Sequence, residues 1–560
     1  MTNDNDYWTY DPRGNLACEV IKLAKRVSIS EHKNREILFF DNTKLSFCNY
    51  SQIYKSIINI FKERDIINIK YVCQSVRGTM TQQIRELASE LSKNNYSAAI
   101  IALADMGTSV MTTILAGELE KKGIPALLIT SPPGNYLAEH VAFYRFGKLC
   151  ICHIDIYQAS KIEEIENEIE KQKEYIISSL TKNEVELDKL SILKPKMDLD
   201  KVNSDKKEIR LINSDELMKE YDNLSIGDGL PIIPPTQERY IQMQQYCQEP
   251  VDKVVIPEAG PSGQNITIND IIINSILAGC EPQYLPIIIA TFYAMAESKF
   301  NFQQSITTSY NGGNLVLVSG PIAKEIGMNS GQGCLGPGFR ANATIGRAVN
   351  LTILNVCRAY PGKADLGCLG SPAEFTYCFA ESIENSPWET INEENYDKEI
   401  TTVYLMKGEP PTDVVDFLSQ DADSLLSVII DSATHLGRMN AYVPGRIMVI
   451  LTPDHVKILT NSGWTKNGLR QYLHEEIYNL RSDVDGKGIV PVRPKQFSER
   501  EKIPATRSPL DIDLVVAGGR GGHSAIIASW GLYCDAVLKP LTLPSGKLAK
   551  SITDFYVQKD

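Results

Sequence analysis

Residues 98–109 read AAIIALADMGTS, and their pattern decides the fold. An unbroken apolar run of this length, without the alternation of a half-exposed strand, predicts a strand buried on both faces. It ends at Asp105-Met106-Gly107, and the spacing of apolar residues from Gly107 to Lys122 is helical. Buried strand, glycine turn and helix together make half of a parallel crossover unit.

The same alternation continues on either side. Glu36–Phe40 (EILFF), Ile67–Cys73 (INIKYVC), Pro125–Thr130 (PALLIT) and Leu149–Ile154 supply strands, and Tyr50–Glu63 and Thr79–Lys93 have helical spacing. Residues 36–158 are therefore expected to form a doubly wound parallel-sheet α/β domain, preceded by an N-terminal extension over residues 1–35. Residues 159–210 change character. KIEEIENEIEKQKEYIISSL (161–180) is a charged helix suited to an arm or a short coiled coil, and KPKMDLDKVNSDKKEIR (194–210) reads as a polar linker. Residues 211–560 form a larger α/β or α+β unit rich in glycine loops, with a subdomain boundary near residue 410. Its expected elements include a helix pair at Thr267–Cys280 and Leu285–Ser298, a helix at Asn342–Val356, and strands at Leu315–Ser319, Arg446–Leu451 and Asp513–Ala517.

Bulk properties narrow the function. The chain has 560 residues, too many for one ordinary core, and its 43% hydrophobic and 22% charged composition is that of a globular protein. A net charge of −12 offers no basic field for nucleic acid or an anionic membrane, so neither is an expected partner. No apolar stretch predicts a membrane span, and the N-terminal residues lack the pattern of a secretory signal, so the expected location is cytoplasmic. The 12 cysteines are then expected to be mostly free thiols. Cys150 and Cys152 point to opposite faces of one strand, and no spacing predicts a metal site.

In a doubly wound sheet ligands bind at the carboxyl ends of the strands, where the following helix presents free N–H groups. Asp105, Thr108 and Ser109 occupy such an end; the competing reading is that Asp105 or Thr108 only caps the helix. Asp41, Asn42 and Lys44 follow the first strand and Arg77 the second, so Lys44 and Arg77 are candidate ligands for a substrate carboxylate, or else plain surface charge.

The second unit adds further candidates. Asp228 lies between two glycines in GDGLPIIPPT (227–236). Residues 319–347 (SGPIAKEIGMNSGQGCLGPGFRANATIGR) are glycine-rich, with Arg340, Asn342 and Arg347 as anion ligands and Cys334 as a nucleophile left accessible by its glycine neighbours. A tight-packing loop is the alternative. DLVVAGGRGGHSAIIASWG (513–531) reads as strand, glycine loop and helix, one residue short of a phosphate loop, with Gly518, Gly519, Gly522 and Ser524 in the loop. His523 would then open a helix whose dipole keeps it neutral and usable as an acid or base. Glu381 and Glu384 fall at a spacing that would share a helix face, which reads more readily as a solvated face than as a carboxylate site. No motif names a cofactor.

FFDNTK (39–44), AAIIALADMGTS (98–109) and GELEKKGIPALLIT (117–130) resemble the UGSC-motif (seleno)protein family, which is similar to the selenocysteine subunit of glycine reductase component B. The resemblance covers about 120 residues. In that family the strand ends in a selenocysteine or cysteine; here the register to Gly123-Ile124-Pro125 puts Asp105 at the first chalcogen position, with Thr108 and Met111 at later cysteine positions. Segments of the second unit, among them GDGLPIIPPT, GPGFRANATIGRA and AGGRGGH, resemble uncharacterised proteins associated with that family. The resemblance implies an enzyme that acts on a small carboxylate or thio-compound at an interdomain cleft, making or breaking a carbon–sulfur or carbon–nitrogen bond as a lyase, transferase or reductase. The loss of the chalcogen leaves a second expectation: a non-catalytic ligand-binding or scaffolding subunit in sulfur or redox metabolism. The strand-end rim would hold the substrate and the second-unit loops would do the chemistry, with Cys334, His523 and Asp105 as the catalytic candidates, and a homo-oligomer or a redox partner protein is compatible with either expectation.

Overall fold

The computed structural model describes residues 7–14, 20–195, 208–211, 217–488 and 500–558. Most of the expected polar linker, residues 196–207, lies outside them.

The first unit alternates strand and helix in the expected order. It comprises β1 (Ile37–Asp41), α1 (Ser51–Lys62), β2 (Ile69–Cys73), α2 (Thr81–Ser92), β3 (Ala98–Ala104), α3 (Ser109–Lys121), β4 (Ala126–Thr130), α4 (Gly134–Phe146) and β5 (Leu149–His153). The five strands are parallel in the order β2-β1-β3-β4-β5. The sheet is mixed only at one edge, where a two-residue strand, β6 (Leu193–Lys194), pairs antiparallel with β5. All seven residues of β3 are buried, as the apolar run requires. After β1 the chain moves one strand outward and then crosses back to β3 on the other side, so the order reverses between β1 and β3. A doubly wound sheet opens its crevice at this reversal, because the helices on either side diverge there.

The charged stretch after β5 is neither an arm nor a coiled coil. It folds as α5 (Ile162–Lys171) and α6 (Lys173–Thr181), which bury Ile165, Ile169, Ile176 and Leu180 in the core of the first unit. Each such side chain contributes about 1.5–3 kcal/mol relative to exposure. That outweighs the weak pairing among the exposed charges of the same helices.

The second unit is mixed α/β. Helices α7 (Ile268–Ala278) and α8 (Leu285–Met295) and the long α9 (Arg340–Cys357) pack beside a sheet of β7 (Gly313–Ser319), β8 (Cys378–Ala380), β9 (Thr402–Gly408) and a late strand Val537–Pro540. A second sheet comprises β10 (Thr412–Val415), β11 (Ile447–Leu451), β12 (Ile512–Val516) and β13 (His523–Ala528), in the order β10-β13-β11-β12. Leu315, Leu317 and Met406 of one sheet share a buried cluster with Met448, Ile450, Val515 and Ile527 of the other.

The N-terminal extension joins both units. Tyr7–Tyr10 pairs antiparallel with Glu208–Leu211, and the Tyr10 N–H donates to the Pro235 carbonyl at 3.0 Å. Further on, Arg26 ion-pairs with buried Glu120 of α3 at 2.7 Å. The junction between the units is pinned by Arg145, whose guanidinium donates to the carbonyls of Glu258 (2.9 Å) and Gly260 (2.7 Å). His140 Nε2 donates to the Arg358 carbonyl at 2.9 Å, and burial holds this imidazole down at about 4. Among the described residues no helix is long and apolar enough to cross a membrane.

Candidate functional site

The site begins where β1 ends. Asp41 is buried and accepts hydrogen bonds from the Tyr71 hydroxyl (2.6 Å) and the Leu45 N–H (3.2 Å). Asn42 donates from Nδ2 to the Leu103 carbonyl and accepts from the Leu103 N–H, both at 3.0 Å, stitching β1 to β3. The chain then turns through Thr43 in the left-handed region, at φ 72°. Asp41 and Asn42 are thus occupied within the protein, and their effect is to fix the turn that carries Lys44. The Lys44 ammonium lies 3.0 and 3.2 Å from the two oxygens of Asp105, both side chains being almost wholly buried.

Asp105 ends β3 and precedes α3. Gly134, at the start of α4, abuts this turn so closely that a Cβ would come within 2.4 Å of the Ala104 carbonyl oxygen and 2.7 Å of Ser109 Oγ. No larger residue fits without displacing the strand end. The capping reading fails: α3 has Thr108 at its N-cap position with no side-chain cap. Thr108 Oγ1, Ser109 Oγ and the neighbouring Ser131 Oγ are buried without a hydrogen-bond partner. Buried hydroxyls cost free energy when unpaired, and of these three residues Thr108 lines a cavity.

A cavity of about 340 Å³ opens over this strand end. Lys44, Tyr50, Arg77, Asp105 and Thr108 line it from the first unit, and Gln304, Tyr310, Trp530 and Tyr533 from the second. The Arg77 guanidinium sits 4.3 Å from the centre of the Tyr533 ring, and Tyr310 stacks on Trp530 at 6.0 Å and 13°. Gln304 is held through Oε1 by Asn301 Nδ2 at 3.0 Å, which leaves its buried Nε2 donor unpartnered. Two cations face one carboxylate, so the cavity carries an excess positive charge in a partly dehydrated setting. Such a setting favours a small anion.

The second-unit candidates are arranged differently. Arg347 and Asp228 pair with each other through two bonds, Nε to Oδ2 at 2.7 Å and Nη2 to Oδ1 at 2.9 Å, and Arg347 also donates to the Pro231 carbonyl. Arg340 pairs with Glu281 and donates to the Gly279 carbonyl. Asn342 accepts from the Asn329 N–H and donates to the carbonyls of Asn329 and Cys334, each at 2.9 Å. The Gly518 N–H donates to the Ser330 carbonyl, and a Cβ on Gly519 would strike Gln332 at 2.8 Å. Glycine loops 329–338 and 518–522 therefore dock on one another.

Three expectations are corrected here. Cys334 is buried despite its glycine neighbours, and burial pushes its thiol up, away from the thiolate form. His523 opens strand β13 rather than a helix, so no helix dipole acts on it; it is exposed, with Nδ1 2.9 Å from Asp413 Oδ2. Glu381 and Glu384 share no helix: Glu381 follows β8 and is buried, whereas Glu384 is exposed beside Lys324.

Ser524 is buried next to His523 and pairs with a histidine not singled out above. Ser524 Oγ is 2.6 Å from His455 Nδ1. His455 Nε2 lies 2.8 Å from the Asp416 carbonyl, which makes Nε2 the protonated nitrogen and Ser524 the donor to Nδ1. Both are buried and line no described cavity. Sequence reasoning also missed Gln304, Tyr310, Trp530 and Tyr533, which reach the cavity from far along the chain. Among the described residues no group of three or more His, Cys, Asp or Glu is placed to hold a metal ion. No family model matches the chain, and comparisons with curated proteins and with solved structures give no match.

Proposed function

We propose that the chain is an enzyme that binds a small carboxylate or thio-compound in the cavity between its two units and makes or breaks a carbon–sulfur or carbon–nitrogen bond there. The observation that carries the reading is the buried Lys44–Asp105 pair at the strand-order reversal, set among unpartnered Thr108 and Gln304 donors and facing Arg77. In this reading Arg77 and Lys44 hold the substrate carboxylate. As the carboxylate draws Lys44 toward itself, Asp105 is released to act as a base. In the eliminative version Asp105 takes the proton beside the departing group, the carbon–hydrogen pair becomes a carbon–carbon double bond, and the sulfur or nitrogen group leaves with its own bonding pair. The proposal keeps the resemblance to the UGSC-motif family, with Asp105 standing where that family has its chalcogen, and places the enzyme in the cytoplasm.

Native mass spectrometry of gently purified protein tests the binding half: a retained small anion is expected, and it should be lost in Arg77→Gln. With that compound as substrate, Asp105→Asn should lower turnover by about 10²–10⁴-fold while binding persists. A retained compound that is never consumed would instead favour a ligand-binding subunit. One observation speaks for that second reading: Asp105 already has a cation partner within the protein.

A further inference from the structure

We infer that Cys48 is the nucleophile of this cavity, acting on a short carboxylate whose electrophilic carbon carries a sulfur or nitrogen leaving group. The inference rests on the carboxylate reading above and adds a covalent step to it. Elimination among the thiols points to this residue. Of the described cysteines, eight are buried, and burial holds Cys150, Cys280 and Cys534 up at about 12. Three are exposed: Cys48, Cys73 and Cys368. Cys73 donates its S–H toward Asp41 Oδ2 at 3.5 Å, a contact that favours the neutral thiol, and neither Cys73 nor Cys368 lines the cavity. Cys48 does line it, on the same turn as Lys44.

Two further features support the inference. Cys48 is held at φ 50°, in the left-handed region that non-glycine residues occupy uncommonly. Gln304 and Thr108, each more than nine-tenths buried, belong to the lining of the same cavity, and the Nε2 of one and the Oγ1 of the other have no partner within the protein. These donors call for an acceptor such as a carboxylate oxygen, which would set the adjoining carbon inside the cavity that Cys48 lines. The thiol first releases its proton to solvent. The thiolate pair then forms the sulfur–carbon bond, and the pair of the broken bond departs with the leaving group, which takes a proton from solvent. Asp105 next takes the proton of the neighbouring carbon, that carbon–hydrogen pair becomes the carbon–carbon double bond, and the thioether's carbon–sulfur pair returns to Cys48 as the thiolate.

Alkylation kinetics followed by peptide mapping test this with two probes that react alike, each losing iodide, but differ in charge. Iodoacetate carries the carboxylate and iodoacetamide does not. Iodoacetate is expected to label Cys48 at least about tenfold faster than Cys73 or Cys368, because the cations concentrate the anion in the cavity. Arg77→Gln should abolish that advantage while leaving iodoacetamide labelling of Cys48 unchanged. Cys48→Ser, checked for folding by near-ultraviolet circular dichroism, should lose the fast phase. If Cys48 reacts no faster than Cys368 with either reagent, the nucleophile inference is overturned while the carboxylate site stands. If Cys48 reacts fast but shows no preference for iodoacetate, the carboxylate class is overturned while a reactive thiol remains.

Discussion

At the cavity, Lys44 and Asp105 pair with each other, and two further lining residues, Thr108 and Gln304, keep a buried Oγ1 and Nε2 unpartnered. Around the glycine loops of the second unit, on the first turns of α9, Arg347 meets Asp228, Arg340 meets Glu281, and Asn342 makes three bonds to backbone. Both regions gather charged and polar side chains near glycines, yet only one has donors to spare. Glycine density reports close approach of backbone, which serves loop docking as well as ligand binding. Unpartnered buried polar atoms beside a cavity are the more discriminating sign, because their cost must be offset by something that binds.

The comparison breaks most directly at the ion pair. Lys44→Met leaves the Asp105 carboxylate buried without its cation, and removing one partner of a buried pair costs about 3–5 kcal/mol. The cavity admits some water, so a loss of about 2–4 kcal/mol is expected in chemical denaturation. The double variant Lys44→Met with Asp105→Asn should recover most of it. A Lys44→Met loss below about 0.5 kcal/mol would mean that the pair is solvated and the cavity an ordinary surface groove.

The docked loops should fail through packing. A Cβ on Gly522 would lie 2.3 Å from the Asp416 carbonyl oxygen, an atom fixed in the backbone. Gly522→Ala is expected to cost about 1–3 kcal/mol through overpacking. Its labelling at Cys48 should match wild type; a changed labelling rate would show that the two regions are coupled.

The sheet was legible because β3 and its neighbours are buried on both faces and so lack alternation, leaving short apolar runs between amphipathic helices. Helix α4 was equally readable from Leu137, Ala138, Val141 and Ala142 but went unassigned behind Pro132 and Pro133. Lys44, Arg77, Asp105 and Thr108 were found because strand ends in such a sheet are predictable from local pattern. The opposite wall was not, since Tyr310, Trp530 and Tyr533 carry no local sign that they face Asp105. Cys48 was hidden for a related reason: a lone cysteine in a turn has no motif. The stretch after Gly522 was misread because SAIIA is too short to separate a strand from a helix by period, and its flanking glycines imitate a phosphate loop.

Two of the buried groups with shifted titration set the junction against the second unit in the pH dependence of stability. His140 titrates near 4 in the folded chain, below its ordinary 6.5, so stability is lost as pH falls from about 6.5 toward 4. Glu381 is raised by burial to about 7, against the opposing effects of Lys466 and its bond from Ser319, so its contribution is present at low pH and lost as pH rises from about 4.5 to 7. Each amounts to ~3 kcal/mol over its window, and between about 4.5 and 6.5 the two slopes oppose one another. Glu381→Gln should expose the His140 slope, with urea midpoints rising through that interval, while His140→Gln should give the reverse. Identical profiles for Glu381→Gln and wild type would mean that Glu381 is already ionised below pH 5.

The smallest effect is expected at His523. Its side chain is 55% exposed and its partner Asp413 59% exposed, and Phe417 meets the ring edge-on at 5.2 Å. An exposed pair of this kind contributes about 0–1 kcal/mol, and His523→Ala should shift the denaturation midpoint by no more than about 0.5 kcal/mol in free energy. The informative measurement is turnover. Because the ring faces solvent and lines no described cavity, the variant should retain wild-type activity and wild-type labelling of Cys48. A large loss of turnover with both binding and Cys48 labelling intact would move the chemistry to the second unit, where the glycine loops would become the active-site wall and the Lys44–Asp105 cavity a binding site alone.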